Sequence, residues 1–462
     1  MAKPLRLVIV SFVDDNFGDN LIRISFQGLL DVALGNHGLE GSEYEIVPIS
    51  LKRSDENSLE GADAIFFAGG GLFGLSYLDF FPHVERITEV AERKGIPVIF
   101  SSMGLNNMSA EDGNADAIAH ILRKDCVKAV AVRENLPLFR ELVTGLSYDV
   151  RQVADPAVWT KYLYGMTDVV PDGTLGVNVV RSGLFTANKR TWSLAQELAY
   201  LGELADLATA QGLRPEFYTN GSLDDNKTLA YFAREYDVAP ERVVLPQTTR
   251  EVVKAISTRS SIAAIRMHSS IIAYSFGIPT IALAWNDKLP HFYEAIGHPE
   301  RVIPFGEWSG ARSFELLSAA GTAPEVDADY QPYLMSTYTY VFESLRDHVL
   351  ANRSSSTKMH GFDGVASALV ARAHVIDEDE NDLRFKLGKA ERSYLARFVS
   401  GREKDARIRE LKAEATALTK QVNALKAEVR QHKKELDTRL PERIVRGVRR
   451  RARKLFGRSA KP

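Results

Sequence analysis

The stretch Ser261-Ile-Ala-Ala-Ile-Arg-Met-His-Ser-Ser-Ile-Ile-Ala-Tyr-Ser-Phe-Gly277 decides how the chain reads. Its apolar run, Ile262 to Ile265, is short and uninterrupted, as expected of a strand buried on both faces. Arg266 and His268 fall at the end of that run. Two serines follow, and an apolar helical pattern stops at Gly277 before Pro279. A strand that turns into a helix at a cationic corner suits an anion. The helix start offers unpaired N–H groups and the positive end of its dipole, and an arginine fork and an imidazole add directed donors at the same point. The same residues also allow a plainer arrangement, with Arg266 paired to a local carboxylate and His268 capping the helix.

Working outward, the N-terminal run Leu5–Phe12 reads as a buried parallel strand. It leads into Asp14-Asp15-Asn16-Phe17-Gly18-Asp19-Asn20 and a helix carrying Leu21, Ile22, Ile24, Leu29 and Leu30, which Asp19 or Asn20 would cap. A second strand, Ala64–Ala68, ends in Gly69-Gly70-Gly71. Three glycines there permit positive φ and a close backbone approach to a ligand or a neighbouring element. Their spacing is neither the dinucleotide fingerprint nor a P-loop. Further strands at Val98–Ser101, Val127–Val132 and Val150–Ala154 alternate with helical stretches. Arg133-Glu134 follows one of them, and Asp155-Pro156 closes the series.

After a polar linker at 160–172, a second alternating series reads Leu175–Val180, Glu216–Thr219, Val243–Leu245, Ile262–Ile265 and Thr280–Trp285, with Lys288 just beyond it. Asp224-Asp225 sits in a turn-rich loop without further carboxylate or His at ligand spacing, which argues against a metal there. The expected fold class is α/β. Two Rossmann-like β/α domains, residues 1–160 and 172–310, are expected to face a shared cleft. A helical closing segment (311–376), a coiled-coil helix (382–438) and a basic amphipathic tail (439–462) follow.

Composition bounds the function. The chain has 462 residues with 45% apolar content, enough for two domains. One cysteine, Cys126, excludes an intrachain disulfide framework. No run reaches the roughly 20 apolar residues of a membrane span, so the expectation is a cytoplasmic protein. The net charge of −2 conceals an asymmetry: residues 439–462 hold ten Lys/Arg and one Glu, leaving −11 for the rest. Ile408, Leu411, Ala415, Leu418, Val422, Leu425 and Val429 are spaced by threes and fours. That seam predicts a coiled-coil homodimer, or else a lone helix packed on the body. The tail carries Ile444, Val445, Val448, Leu455 and Phe456 among its arginines. It reads as a segment attracted to anionic lipid at the inner face of the plasma membrane, or as a solvated tail. No nucleic-acid-binding fold accompanies it.

Taken together, the chain resembles the polysaccharide pyruvyl transferases over roughly residues 5–310. The resemblance rests on Asn16-x-Gly18-Asp19, the Gly69-Gly70-Gly71 turn, Arg133-Glu134, and Val153-x-Asp155-Pro156. Most specific is Arg266-x-His268 with Ala273, Gly277-x-Pro279 and Lys288. It implies a GT-B-like fold of two domains, and transfer of a pyruvyl group from phosphoenolpyruvate to two hydroxyls of a glycan or lipid-linked sugar, forming a ketal and releasing phosphate. Phosphoenolpyruvate is then a co-substrate, with no cofactor and no metal. By the resemblance, Arg266 and His268 bind the donor and serve in catalysis. Arg133, Lys288 and Gly69–Gly71 join the donor site, and Asp19 contacts an acceptor hydroxyl. Two other readings stand beside this one: a GT-B-like glycosyltransferase using a nucleotide sugar, and a non-catalytic scaffold whose C-terminal region does the work.

Overall fold

The computed structural model describes residues 3–12, 16–52, 54–74, 77–105, 108, 114–181, 183–187, 190–320, 329–351 and 358–373, and a few positions between 422 and 431. Two six-stranded sheets, with all strands paired in parallel among the described residues, carry the chain. The first contains β1 (Leu5–Ser11), β2 (Tyr44–Ser50), β3 (Ala64–Gly70), β4 (Val98–Met103), β5 (Val127–Val132) and β6 (Val150–Gln152), in the order β2-β1-β3-β4-β5-β6. The second contains β7 (Thr174–Asn178), β8 (Arg214–Tyr218), β9 (Val243–Val244), β10 (Ser261–Ala264), β11 (Thr280–Ala284) and β12 (Val302–Pro304), in the order β12-β11-β10-β7-β8-β9.

Strand order sets where ligands go. In a doubly wound sheet the crevice opens at the carboxyl ends, where the order reverses. In the first sheet that point lies between β1 and β3, so the ends of Ser11 and Gly70 border it. In the second it lies between β7 and β10, beside Asn178 and Arg266. The central strands are buried on both faces, as their uninterrupted apolar runs require: Leu7, Val8, Ile9 and Ile262–Ala264 are all inaccessible.

Several boundaries differ from the sequence reading for identifiable reasons. The first helix, Phe17–Asn36, is capped by Asn16, whose Oδ1 accepts from the Gly18 N–H at 3.1 Å. Asp19 therefore lies in the first turn and favours the dipole without capping. β2 and β12 were not expected. Both are edge strands, where patterning is weak, and Pro48 is tolerated in β2 because an edge needs no ladder donor on one side. The expected linker begins as structure: Thr160–Leu163 is a helical turn, and Trp159, Leu163 and Tyr164 are buried.

The closing segment contains helices Gly310–Ala319, Tyr330–Ser344 and Phe362–Arg372. The second of these crosses back onto the N-terminal half of the chain. Tyr340 Oη donates to the Phe100 carbonyl at 2.9 Å, Trp159 Nε1 to the Leu334 carbonyl at 3.0 Å, and the Ala154 N–H to Ser336 Oγ at 2.9 Å. The proposed coiled coil and basic tail lie outside the described residues, apart from a short helical piece that includes Val422 and Leu425. Among the described residues, no helix is long and apolar enough to cross a membrane.

Candidate active site

The second switch point is tightly wired. Helix Met267–Phe276 starts directly after β10, with Arg266 at its cap position and Gly277 (φ 69°) ending it. Asn178, at the end of β7, accepts from the Arg266 N–H at 2.8 Å and donates to Asn220 Oδ1 at 3.1 Å. Ser269, in the first helical turn, donates to the same Asn220 oxygen at 2.7 Å. The Arg266 guanidinium is not an open fork. It closes on Asp225, with Nε at 3.0 Å from Oδ2 and Nη2 at 2.9 and 2.7 Å from the two oxygens. Asp225 is wholly buried and also accepts from the Arg181 N–H at 2.9 Å. Its neighbour Asp224 pairs with Arg181 and Lys227 at the surface.

His268, one residue into the helix, rests against the start of the first helix. A Cβ on Gly18 would lie 2.3 Å from His268 Nδ1, so only glycine lets the imidazole rest on the start of the first helix. Its Nε2 is buried without a hydrogen-bond partner and lies 3.9 Å from Asp155 Oδ2. Burial pushes the imidazole pKa down to about 4; Asp155 opposes this, while Arg133, Lys288 and Arg266 add to it. The ring is therefore neutral at pH 7.

Behind it stands a buried charge cluster. Arg133 Nη1 bonds Asp155 Oδ2 at 2.6 Å and its Nε bonds Glu134 Oε2 at 3.2 Å. Each carboxylate is completed by a backbone donor: Ala157 N–H to Asp155 at 2.9 Å, and Leu105 N–H to Glu134 at 2.8 Å. A Cβ at Gly104 would meet the guanidinium at 2.6 Å, which explains glycine after β4. Just before it, Ser102 has φ 58°, and its hydroxyl donates to the Ala154 carbonyl at 2.9 Å. One arginine thus carries two carboxylates, and the cluster alone sums to −1.

Lys288 opens helix Lys288–Ala295 after β11. It lines a pocket of about 170 Å³ whose other walls include Ser11, Phe12, Asp19, Gly69, Gly70 and Gly71, all on or beside the strands β1 and β3 and the helix after β1. Burial, then Arg133, lowers its ammonium pKa to about 8; Glu134 and Asp19 oppose the shift and Arg266 adds to it. At neutral pH Lys288 is a cation that gives up its proton easily.

The structure therefore places Lys288, Asp19 and Gly69–Gly71 on one pocket, and His268 beside Arg133 through Asp155. Arg266 acts on them only through its charge, since its fork holds Asp225. The sequence does not announce Asp225 as the Arg266 partner or Asn178 and Asn220 as the helix anchors. The Arg133–Glu134 pair is legible from adjacency, whereas Asp155 as the second carboxylate on Arg133 is not. Tyr333, on the returning helix, also belongs here: burial, then Asp155, raises its phenol pKa. Nothing in the residues around Tyr333 announces this position, because the helix reaches it through tertiary packing.

The family model for polysaccharide pyruvyl transferase matches residues 7–287, which includes both switch points and the charge cluster. The chain belongs to the polysaccharide pyruvyl transferase family. It is accordingly a transferase. No curated protein matches it. Among solved structures it is similar to the UDP-GlcNAc 2-epimerase from Methanocaldococcus jannaschii, with 13% identity over 73% of this chain and 98% of that one, TM-score 0.46. A putative UDP-N-acetylglucosamine 2-epimerase from Listeria monocytogenes gives 10% identity, 78% and 100% coverage, and a TM-score of 0.48. The E. coli heptosyltransferase WaaC with ADP gives 13%, 69% and 100%, and 0.39. At these values the three likenesses carry no argument about the reaction.

Proposed function

We propose that this pyruvyl transferase moves the pyruvyl group of phosphoenolpyruvate onto two hydroxyls of a glycan-precursor sugar, at the joint between its two sheets. The observation that carries the reading is the meeting of His268 and Lys288, from the second domain, with the Arg133–Glu134–Asp155 cluster and Asp19 from the first. In this reading the two domains enclose a GT-B-like cleft. Phosphoenolpyruvate places a carboxylate and a phosphate within one small molecule, and Lys288 and the Arg266 and Arg133 charges favour both.

A neutral His268 serves this donor well. An anion beside the ring raises its proton affinity, so donor binding and proton uptake are coupled. The imidazolium so formed delivers its proton to the methylene carbon, leaving a cation-like centre at the enol carbon. One sugar hydroxyl attacks that carbon and releases its proton to Asp19. The carbon–oxygen bond to phosphate then breaks, and the second hydroxyl closes the ketal. One of the two hydroxyl protons replaces the one delivered to carbon; the other leaves with inorganic phosphate. As part of the same proposal, the heptad seam pairs two copies and the basic tail holds the enzyme on anionic lipid at the cytoplasmic face. Removal of residues 439–462 then reduces co-sedimentation with anionic liposomes at low salt; unchanged sedimentation refutes that contact.

The test is acceptor-dependent release of phosphate from phosphoenolpyruvate. His268→Gln is expected to lose roughly 100-fold or more in turnover, the contribution of a general acid. Turnover at the wild-type rate in that variant excludes the scheme.

A further inference from the structure

Asp155 lies between Arg133 and His268, and the peptide just before it is held by side chains. The last ladder bond beside β6 runs from the Val153 N–H to the Val132 carbonyl at 2.9 Å. Ala154 comes next and is wholly buried. Its N–H donates to Ser336 Oγ at 2.9 Å, and its carbonyl accepts from Ser102 Oγ at 2.9 Å and from Thr337 Oγ1. The Ser336 hydroxyl donates to the Tyr333 carbonyl of its own helix at 2.6 Å, so it meets Ala154 as an acceptor. Three hydroxyls thus converge on one peptide. Two of them belong to helix Tyr330–Ser344, which lies beyond the matched residues 7–287.

The same helix grips the other half of the pair. Tyr330 Oη donates to the Ser275 carbonyl at 2.8 Å, and the Tyr333 ring meets Tyr274 edge-on with centroids 6.0 Å apart. Ser275 and Tyr274 lie in helix Met267–Phe276, whose first turn carries His268. One helix therefore holds both the peptide that aims Asp155 and the helix that presents His268. The His268 Nε2 stands 3.9 Å from Asp155 Oδ2. An apolar stripe would bury the closing helix equally well. Hydroxyls with directed partners fix its register besides, and a misplacement of about 1 Å at a reacting group costs on the order of 100-fold in rate. We infer that Ser336 and Thr337 are positioning residues that set the spacing of His268 and Asp155 from outside the matched segment. The inference rests on the proposed function for the part His268 plays in turnover, and on the geometry alone for the spacing.

Two measurements on the full-length protein test it. One is the histidine ring signal in NMR, with His268 and His37 assigned by the signals lost in His268→Gln and His37→Gln. The other is acceptor-dependent release of phosphate from phosphoenolpyruvate. Thr337→Val keeps the side-chain shape and leaves the Ala154 carbonyl its bond from Ser102, so the fold is retained. It is expected to move the His268 signal and to leave that of His37, whose ring stacks on Phe342 of the same helix at 4.0 Å, in place. Ser336→Ala should do the same, and Thr337→Ser should restore the wild-type signal. Turnover in Thr337→Val is expected to fall about tenfold at unchanged KM for phosphoenolpyruvate. The charges facing the ring are Asp155, which favours the imidazolium, and Arg133, Lys288 and Arg266, which oppose it. Withdrawal of Asp155 therefore shifts the pH dependence of turnover toward acid. An unmoved His268 signal in both variants overturns the inference. So does joint movement of the His268 and His37 signals, the mark of a helix loosened along its length. A moved His268 signal in a protein whose wild type releases no phosphate overturns the proposed donor and leaves the positioning role standing.

Discussion

The two sheets present the same kind of crevice and treat it in opposite ways. At the second switch point the side chains are spent on one another: Arg266 on Asp225, and Asn178 and Ser269 on the Asn220 oxygen. At the first, glycines replace side chains, and Ser11 is left unpaired. The filled crevice fixes the helix that carries His268; the open one leaves room for a ligand. Between them lie residues whose charges are tuned and incompletely compensated, His268 and Lys288. Rigidity on one side and vacancy on the other is what a site needs to hold reactants in register.

The largest test of this contrast attacks the filled side. Asp225→Ala leaves the Arg266 charge mostly buried and unpaired, and is expected to cost about 3–5 kcal/mol in urea unfolding. A loss below 1 kcal/mol means the lock is dispensable. Next comes pH. The unfolded imidazole of His268 takes a proton near pH 6.5 while the folded one resists until about 4. Stability is thus full above pH 6.5 and falls as pH drops toward 4, by about 3 kcal/mol for this group. His268→Gln should flatten that part of the profile; an unchanged slope assigns the loss to other groups.

Much of the frame was legible because central parallel strands must be apolar on both faces, and so β1, β5, β10 and β11 declare themselves. β2 and β12 escaped because an edge strand needs only half a pattern. Strand ends were legible too: Asp19, Gly69–Gly71, Arg266, His268 and Lys288 all lie at carboxyl ends or just beyond. Pairing was not. Arg266 meets a carboxylate 41 positions away and Arg133 one 22 away, distances at which no local periodicity speaks. The glycines at 18 and 104 look like flexible loop residues in the sequence. In the structure they are clearances for His268 and Arg133.

Two substitutions nearer the crevices are expected to have smaller effects. Gly18→Ala forces a Cβ against His268 Nδ1 and is expected to cost about 1–3 kcal/mol, with a larger proportional loss of transfer than of stability. Equal loss in both denies the imidazole a special place. Weakest is Lys52→Ala. Lys52 Nζ lies 5.0 and 5.2 Å from the Phe12 and Phe80 ring centroids, a contact that contributes about 0.5–1 kcal/mol at an exposed site. Its removal should leave the melting temperature within a few degrees of wild type.

In the proposed function, the joint between the sheets holds phosphoenolpyruvate by coupling its charge to Lys288 and His268. Isothermal titration with phosphoenolpyruvate at pH 8, repeated in buffers of different ionisation enthalpy, measures binding and proton exchange together. Because Lys288 is about half-protonated there, an arriving anion should draw protons onto the site. Saturable binding with net proton uptake is expected in the wild type, and loss of both in Lys288→Met. No binding by the wild type, or equal binding and uptake in Lys288→Met, would contradict it.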